Sequence, residues 1–194
     1  MRGVAAPYLN VISRRLASFP VMRRVVVVGT SGTGKTTVAS RIAAAIGASH
    51  VELDSLHWEP GWKEASIDLF RSRAAEATSG EKWVADGNYR AVRDILWGRA
   101  DTVVWLDYPL RVAFWRVVRR TVRRILTREE LWNGNREGLS ALVGPDSMPL
   151  WVLKTHRMRR REYPELFASP EYGHLKVIRH GSNDETERWL AGLS

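Results

Sequence analysis

The segment Gly-Thr-Ser-Gly-Thr-Gly-Lys-Thr at residues 29–36 constrains the fold of this 194-residue chain more than any other. It matches the pattern G-x-x-x-x-G-K-[ST] at every fixed position, and four valines, residues 25–28, come directly before it. Glycines allow the backbone to curl, so that successive N–H groups point at phosphate oxygens. We therefore predict a phosphate-binding loop between a buried strand and a helix.

The loop predicts nucleotide binding but leaves the reaction open, because ATPases, GTPases and kinases share it. We expect Lys35 to reach the β- and γ-phosphates and the Thr36 hydroxyl to ligate Mg²⁺. The Asn-Lys-x-Asp segment by which GTPases usually read the base is not found in the sequence. The predicted nucleotide-binding residues are Gly29, Thr30, Ser31, Gly32, Thr33, Gly34, Lys35, Thr36 and Thr37.

Predicted strands and helices alternate along the chain, which favours a three-layer α/β fold. We expect a five-stranded parallel sheet with helices on both faces, as in P-loop NTPases, and a helical or loop-like lid. The predicted strands are Arg24–Gly29, His50–Leu53, Lys82–Ala85, Thr102–Leu106 and Leu175–Arg179, and the predicted helices are Lys35–Ile46, Ser66–Thr78, Pro109–Thr127, Leu150–Phe167 with an interruption at Pro164, and Asp184–Leu193.

Glycine, asparagine and proline are frequent between the two basic helices, which predicts a mobile loop at residues 133–149. We expect one domain over residues 22–194, with the lid inserted at about residues 128–150. Residues 1–21 precede Met22 and the first strong strand, and two interpretations remain for them: a dispensable, disordered extension or a misplaced start.

Composition narrows the environment and the partners. The sequence has no cysteine, which excludes a disulfide framework and a zinc–thiolate site and fits a reducing cytoplasm. It has no apolar run of the length that a transmembrane helix needs, about 18 residues. The net charge of +9 suits anionic partners. Seven arginines and no acid lie between Arg111 and Arg128, and five more basic residues lie between Lys154 and Arg161.

Three carboxylates follow predicted strands, at Asp54, Asp86 and Asp107. Ligands of parallel α/β sheets bind beyond the carboxyl ends of the strands, where the phosphate loop also lies. We predict that Asp54 and Asp86 take part in function, with Asp86 and Thr36 at the metal, whereas Asp107, before Tyr-Pro, is better explained as a turn or capping residue.

Several segments together resemble the adenylate-kinase-like nucleoside and nucleotide kinases, and most narrowly the small bacterial DNA topology modulation proteins. The resemblance covers about residues 22–190. Besides the phosphate loop, it rests on Leu-Asp-Ser-Leu-His-Trp at residues 53–58, on Trp-Val-Ala-Asp-Gly-Asn-Tyr-Arg at residues 83–90, and on Leu-Asp-Tyr-Pro at residues 106–109 with the arginines that follow.

The resemblance implies an ATP- and Mg²⁺-dependent phosphotransferase and assigns roles to individual residues. Asp86 would hold Mg²⁺ through water, and Arg90 would grip an acceptor phosphate. Arg116 and Arg120 stand at the positions of two catalytic arginines, one turn apart on a helix face. The arginine that adenylate kinases carry after the second strand is not found, and Asp54 stands near there instead, as in kinases that phosphorylate a hydroxyl.

We expect a small, nucleoside- or nucleotide-like acceptor, although a sugar acid or another metabolite remains open. The predicted acceptor-binding residues are Asp54, His57, Trp58, Arg90, Arg157 and Arg161. Two other functions remain: a plain ATPase or nucleotide-bound regulatory module, and a nucleic-acid-binding protein linked to DNA topology. Nucleic acid is not expected as the main ligand, because basic charge alone supports only non-specific binding. The oligomeric state cannot be inferred from the sequence.

Overall fold

The computed structural model describes residues 22–193, so the predicted extension at residues 1–21 lies outside the described residues. The elements in chain order are β1 (Arg24–Gly29), α1 (Lys35–Ile46), β2 (Ser49–Glu52), α2 (Leu53–His57), β3 (Trp58–Glu59), β4 (Lys63–Glu64), α3 (Ile67–Ala77), β5 (Trp83–Asp86), α4 (Arg93–Arg99), β6 (Thr102–Leu106), α5 (Leu110–Thr127), α6 (Met148–Ala168), β7 (Lys176–His180) and α7 (Asn183–Ala191).

Five of the strands form a parallel sheet in the order β2-β5-β1-β6-β7. This confirms the predicted three-layer α/β fold with a five-stranded parallel sheet. Three strands, β2, β5 and β7, differ from the predicted bounds by a shift of one residue. The carboxyl ends of the strands therefore bring Gly29, Asp86 and Asp107 to one edge of the sheet, with Asp54 just beyond β2.

Alternate residues of β1 are buried on opposite faces of the sheet. Val25 and Val27 pack in one cluster with α1 and α7, whereas Val26 and Val28 pack in the other with α3 and α4. All four valines are buried, which explains why the strand shows no polar alternation in the sequence. The phosphate loop thus follows a strand that is fixed from both sides.

Helix α6 continues to Ala168 and is not interrupted at Pro164, so that prediction was wrong. A proline inside a helix removes one backbone hydrogen bond. Here Pro164 is exposed, while Tyr163 before it is buried and Phe167 after it packs on the sheet cluster. Packing of these aromatic rings keeps the helix in register across the proline.

The segment that follows β2 forms structure that the sequence patterns did not predict. The short helix α2 leads into a hairpin of β3 and β4, whose turn contains Gly61 (φ 75°) and Trp62 (φ 57°). Left-handed backbone is unusual for tryptophan. The Trp62 backbone N–H donates a 2.8 Å hydrogen bond to the side chain of Asn135, which holds this conformation. Helix α4 was also not predicted.

The connection between α5 and α6 docks on this hairpin through its first half. Asn135 donates to the Glu59 carbonyl at 2.9 Å, and Trp132 Nε1 donates to Glu52 at 2.9 Å. Trp62 Nε1 donates to the carbonyl of Arg136 at 3.0 Å. We call residues 130–137 the docked half of this connection. The remainder, residues 138–147, exposes most of its side chains, and its mobility stays a prediction.

Across residues 22–193, no helix combines the length and the apolar character needed to cross a membrane.

Candidate nucleotide and phosphoryl-transfer site

The phosphate loop has the backbone conformation that its glycines predict. Gly29, Gly32 and Gly34 have φ angles of 149°, 88° and 87°. A Cβ atom at Gly32 would lie 2.3 Å from the carbonyl oxygen of Ala113 in α5, and one at Gly29 would lie 2.6 Å from the carbonyl of Leu106. The first and fourth positions of the loop therefore exclude side chains, because neighbouring backbone approaches them closely.

Helix α1 starts at Lys35 after Gly34, and no side chain caps its first turn. Its N–H groups and the helix dipole are therefore free to favour an anion. Loss of water on burial, together with the positive charges of Arg159 and Arg120, lowers the pKa of Lys35 to about 8, although the charges of Asp86 and Asp54 oppose this shift. The ammonium group thus stands among charges from four other parts of the chain.

Asp86, at the end of β5, is buried and joins the phosphate loop to β2. The Thr36 hydroxyl donates a 3.0 Å hydrogen bond to its Oδ1, and His50 Nε2 lies 2.8 Å from its Oδ2. The hydrogen bond to Asp86 raises the pKa of His50. The structure therefore brings together the two residues that the sequence predicts at the metal.

The oxygens of Thr36 and Asp86 fit Mg²⁺, which prefers oxygen ligands, takes few of them from the protein and keeps several waters. Within residues 22–193, no group of three or more His, Cys, Asp or Glu side chains could hold a metal by itself. A divalent cation at this place would therefore depend on nucleotide phosphates for further ligands.

Asp54, in the first turn of α2, receives a 2.5 Å hydrogen bond from the hydroxyl of Tyr89. Burial, followed by the charge of Asp54, raises the pKa of Tyr89, so the hydroxyl stays protonated and donates. The ring of His57 lies 4.5 Å from the Tyr89 ring and 4.8 Å from the Trp58 ring. The predicted acceptor residues Asp54, His57 and Trp58 are thus close together, and Tyr89 joins them.

The two arginines predicted on α5 have different surroundings. Arg120 is largely buried; its Nε has no hydrogen-bond partner among the described residues, and burial lowers its pKa. Its charge acts on Lys35, while Asp54 acts on Arg120 in turn. Arg116 is exposed, donates a 2.9 Å hydrogen bond to Asn183 and lies over the Tyr108 ring. Of these two arginines, Arg120 is the one whose charge acts on Lys35.

Helix α6 contributes Arg159, which the sequence analysis did not select. It is 7% exposed, donates to Thr155 Oγ1 at 3.0 Å, and burial lowers its pKa. Val152, His156, Arg159 and Tyr163 form one buried helical stripe. Spacings of four, three and four residues in the sequence were the signal that could have identified Arg159 as facing inward.

The two arginines of α6 that the sequence did predict face a separate groove. Arg157 and Arg161 are exposed and line an open groove of about 480 Å³ together with Arg90. Arg90 is bound to Glu162 of α6 at 2.9 Å. The structure therefore brings these three predicted acceptor residues together, but it does not place them among the residues around Lys35. Their role in binding an acceptor stays a prediction.

Asp107 connects structural elements at the same sheet edge. Arg160 Nε lies 2.8 Å from its Oδ1, and Arg179 Nε donates to its Oδ2 at 3.0 Å. Its backbone N–H donates to the His180 carbonyl at 2.9 Å. With two arginine partners, this buried carboxylate holds α6 and β7 against the end of β6.

Comparison with known proteins supports an α/β fold that carries a phosphate loop. The family model described as ATPase family associated with various cellular activities (AAA) matches residues 25–107, less than half of the chain. No curated protein sequence gives a significant match. The matched segment contains the phosphate loop, Asp86 and the strands around them.

Solved kinase structures share the fold over most of its length. A gluconokinase from Sinorhizobium meliloti 1021 is 22% identical, with a TM-score of 0.51, and the match covers 89% of this chain and 92% of that chain. A shikimate kinase from Bacteroides thetaiotaomicron is 17% identical (TM-score 0.52, 89% and 96% covered), and one from Acinetobacter baumannii in complex with shikimate is 18% identical (TM-score 0.52, 89% and 93% covered).

The parallel sheet, the phosphate loop and the Thr36–Asp86 pair define the P-loop NTPase fold. Within that class, the chain has the fold of the small-molecule P-loop kinases. At these identities the likeness shows the fold alone, and the narrower resemblance to the DNA topology modulation proteins rests on sequence motifs.

Proposed function

We propose that this protein is a kinase that transfers the γ-phosphate of Mg-ATP to a hydroxyl group of a small acceptor. The observation that carries the proposal is the cluster of cations around Lys35. Arg120 and Arg159 come from two different helices, are largely buried, and bring their charges close enough to lower the pKa of Lys35. Buried like charges repel one another, so the cluster favours a ligand with several negative charges.

The transferred phosphoryl group is such a ligand, because its charge is spread over three oxygens during transfer. Guanidinium groups can bind phosphate oxygens through two parallel hydrogen bonds. The negative charge of the transition state would therefore relieve the repulsion among Lys35, Arg120 and Arg159. Thr36 and Asp86 would hold Mg²⁺, which neutralises phosphate charge when bound.

We propose that Asp54 binds the acceptor hydroxyl and takes its proton. Tyr89 donates to Oδ1 and so fixes the carboxylate, which leaves Oδ2 to accept a hydrogen bond from an acceptor hydroxyl. As the hydroxyl oxygen bonds to the γ-phosphorus, the bond from that phosphorus to the β,γ-bridging oxygen breaks and the hydroxyl proton passes to Asp54. A plain ATPase does not need this second carboxylate beside an aromatic cluster.

The aromatic rings of His57, Trp58 and Tyr89 offer flat apolar surfaces beside Asp54. Such surfaces suit a nucleoside- or nucleotide-like acceptor, since aromatic rings stack on bases. The fold neighbours are kinases named for gluconate and shikimate, so hydroxy acids belong to the same set of candidates. We also propose a cytoplasmic location, in keeping with a sequence that has no cysteine.

The test is a screen for ADP release by the purified full chain with Mg-ATP. Nucleosides, nucleoside monophosphates, gluconate, shikimate and other hydroxy acids serve as acceptors, in a buffer without phosphate. We expect at least one acceptor to stimulate ADP release and to appear as its phosphate ester by mass spectrometry. Asp54→Asn should abolish the stimulation and leave the basal ATP hydrolysis.

Two results would count against a kinase. ATP hydrolysis that no acceptor stimulates, and that Asp54→Asn leaves unchanged, would favour the plain ATPase or regulatory module. Hydrolysis that duplex DNA stimulates, with no response to any small acceptor, would favour the nucleic-acid-linked alternative.

A further inference from the structure

The side chain of Asn88 binds both backbone groups of Gly29, the first residue of the phosphate loop. The Gly29 N–H donates to Asn88 Oδ1 at 3.1 Å, and Asn88 Nδ2 donates to the Gly29 carbonyl at 2.7 Å. Strand β5 ends at Asp86, and the Gly87 N–H makes a long bond of 3.4 Å to the Val27 carbonyl. Asn88 thereby continues the pairing with β1 beyond the end of β5.

A third hydrogen bond fixes the amide of Asn88 in this orientation. The hydroxyl of Tyr163 in α6 donates to Asn88 Oδ1 at 2.9 Å. Burial raises the pKa of Tyr163 to about 12, so the hydroxyl keeps its proton at neutral pH and can donate. Turning the amide over would place its NH₂ group against the Gly29 N–H and its oxygen against the Gly29 carbonyl, so the two backbone contacts require the observed orientation, in which Oδ1 accepts from Tyr163.

Arg159 lies one turn before Tyr163 on α6, and its positive charge acts against the rise in the pKa of Tyr163. A path of hydrogen bonds therefore runs from α6 through Tyr163 and Asn88 to Gly29, and it starts one turn from Arg159. Tyr163 is 2% exposed, so the hydroxyl that joins α6 to Asn88 is shielded from water. Hydrogen bonds in such dry surroundings are stronger than in water.

We propose that Asn88 is a positioning residue that sets the first turn of the phosphate loop relative to α6. Through Gly29 it fixes where the loop starts, and through Tyr163 it fixes the distance between the loop and Arg159. Lys35 and Arg159 can then meet the same phosphoryl group without reorganisation. The kinetic part of this proposal rests on the proposed kinase function, whereas the structural part concerns only the loop.

Three variants separate the contacts. Asn88→Ala removes all of them, and Tyr163→Phe removes only the hydroxyl link to α6. Asn88→Asp keeps an acceptor for the Gly29 N–H and the Tyr163 hydroxyl but cannot donate to the Gly29 carbonyl. Tyr172→Phe is the matched control, since Tyr172 is a buried tyrosine of the same core cluster that contacts Trp97.

The first measurement is amide hydrogen exchange in the peptide that contains residues 29–34, on the protein without nucleotide. We expect faster exchange in Asn88→Ala and in Tyr163→Phe than in the wild type, and no change in Tyr172→Phe. This readout needs neither an acceptor nor turnover, so it tests the positioning role even if the kinase proposal fails. Equal exchange in the wild type and Asn88→Ala would overturn it.

The second measurement uses turnover with Mg-ATP and separates positioning from simple stability. A small displacement of reacting groups can cost up to about 100-fold in rate, so we expect Asn88→Ala to lower kcat by about 10- to 100-fold. The Kd of a non-hydrolysable ATP analogue should change much less. Loss of thermal stability with unchanged kcat, measured well below the unfolding temperature, would instead mean that Asn88 has a structural role only.

A double-mutant cycle tests the path through Tyr163. If the two residues act in series, Asn88→Ala combined with Tyr163→Phe should lower kcat no more than Asn88→Ala alone. Independent, multiplicative effects of the two substitutions would contradict the link between α6 and the loop.

Discussion

Arg159 and Arg157 are separated by one residue on α6, yet Arg159 is buried and acts on Lys35, whereas Arg157 is exposed and lines the groove beside Arg90. Two residues correspond to about 200° around a helix of 3.6 residues per turn. The buried stripe through Val152 and Tyr163 therefore determines which arginine faces the phosphate loop.

Arg159→Lys should lower kcat far more than Arg157→Lys does. Lysine keeps the charge but loses the planar pair of donors, and arginines that contact transferring phosphate contribute about 10³–10⁵ in rate in well-studied systems. We expect a large part of that loss for Arg159→Lys and less than about a twofold change for the exposed Arg157→Lys. Steady-state kinetics of both variants, checked by circular dichroism, measure this. The opposite order would place the acceptor in the groove of Arg157 and Arg161.

Asp86→Asn should reduce Mg²⁺-dependent turnover more than it reduces nucleotide affinity. The loop N–H groups hold the phosphates, whereas the Asp86 carboxylate lies beside Thr36, where the metal would bind. Titration of kcat with Mg²⁺ should show a higher metal requirement. Asp107→Asn is the control: its two arginine partners predict a lower unfolding temperature with a smaller loss of turnover. A larger kinetic loss in Asp107→Asn than in Asp86→Asn would mean that the metal binds at the end of β6 and not at the end of β5.

Asp54→Asn should lower kcat by about 10²–10⁴, the usual contribution of a general base, and Tyr89→Phe should lower it less. Phenylalanine keeps the ring beside His57 but removes the hydrogen bond that orients Asp54. Steady-state kinetics with the acceptor found in the screen measure both values. A Tyr89→Phe variant with wild-type kcat would show that the Asp54 carboxylate is held by other contacts.

The affinity for an ATP analogue should fall as the pH rises above about 8. Below that pH Lys35 is already charged and adds no pH dependence of its own. Above it the free protein carries neutral Lys35, and binding must take up a proton, so Kd should rise by up to about tenfold per pH unit. Calorimetry without divalent metal, in two buffers of different ionisation enthalpy, measures both effects. Lys35→Arg stays charged and should remove the dependence between pH 8 and 9.5.

Binding of a non-hydrolysable ATP analogue with Mg²⁺ should slow amide exchange in residues 138–147. Residues 130–137 are already docked on the hairpin, so we expect a smaller change there. The charges of Glu137 and Glu129 act on Arg120, which links the docked half to the cations around Lys35. Arg120→Ala should therefore weaken the protection, whereas Arg116→Ala, bound to Asn183, should not. Equal exchange with and without nucleotide would mean a static connection.

The sheet could be predicted because its signals are local. All five strands were predicted to within one residue of their bounds, and the signal is clearest for β1, β5 and β6, which are short buried apolar runs followed by glycine or aspartate. The hairpin at residues 58–64 was missed because its left-handed turn at Trp62 depends on Asn135, more than seventy residues away. The continuity of α6 across Pro164 likewise depends on packing against the sheet.

By itself, the sequence determined the phosphate loop, the α/β sheet and the strand ends that carry Asp86 and Asp107, because glycine conformation and strand burial are encoded within a few neighbouring residues. Only the tertiary structure decided which polar side chains meet at the loop. It brought Tyr89 to Asp54, Asn88 to Gly29 and Arg159 to Lys35. The physical reason is that the direction of a side chain on a helix or loop depends on how that element packs, and the partners come from distant parts of the chain.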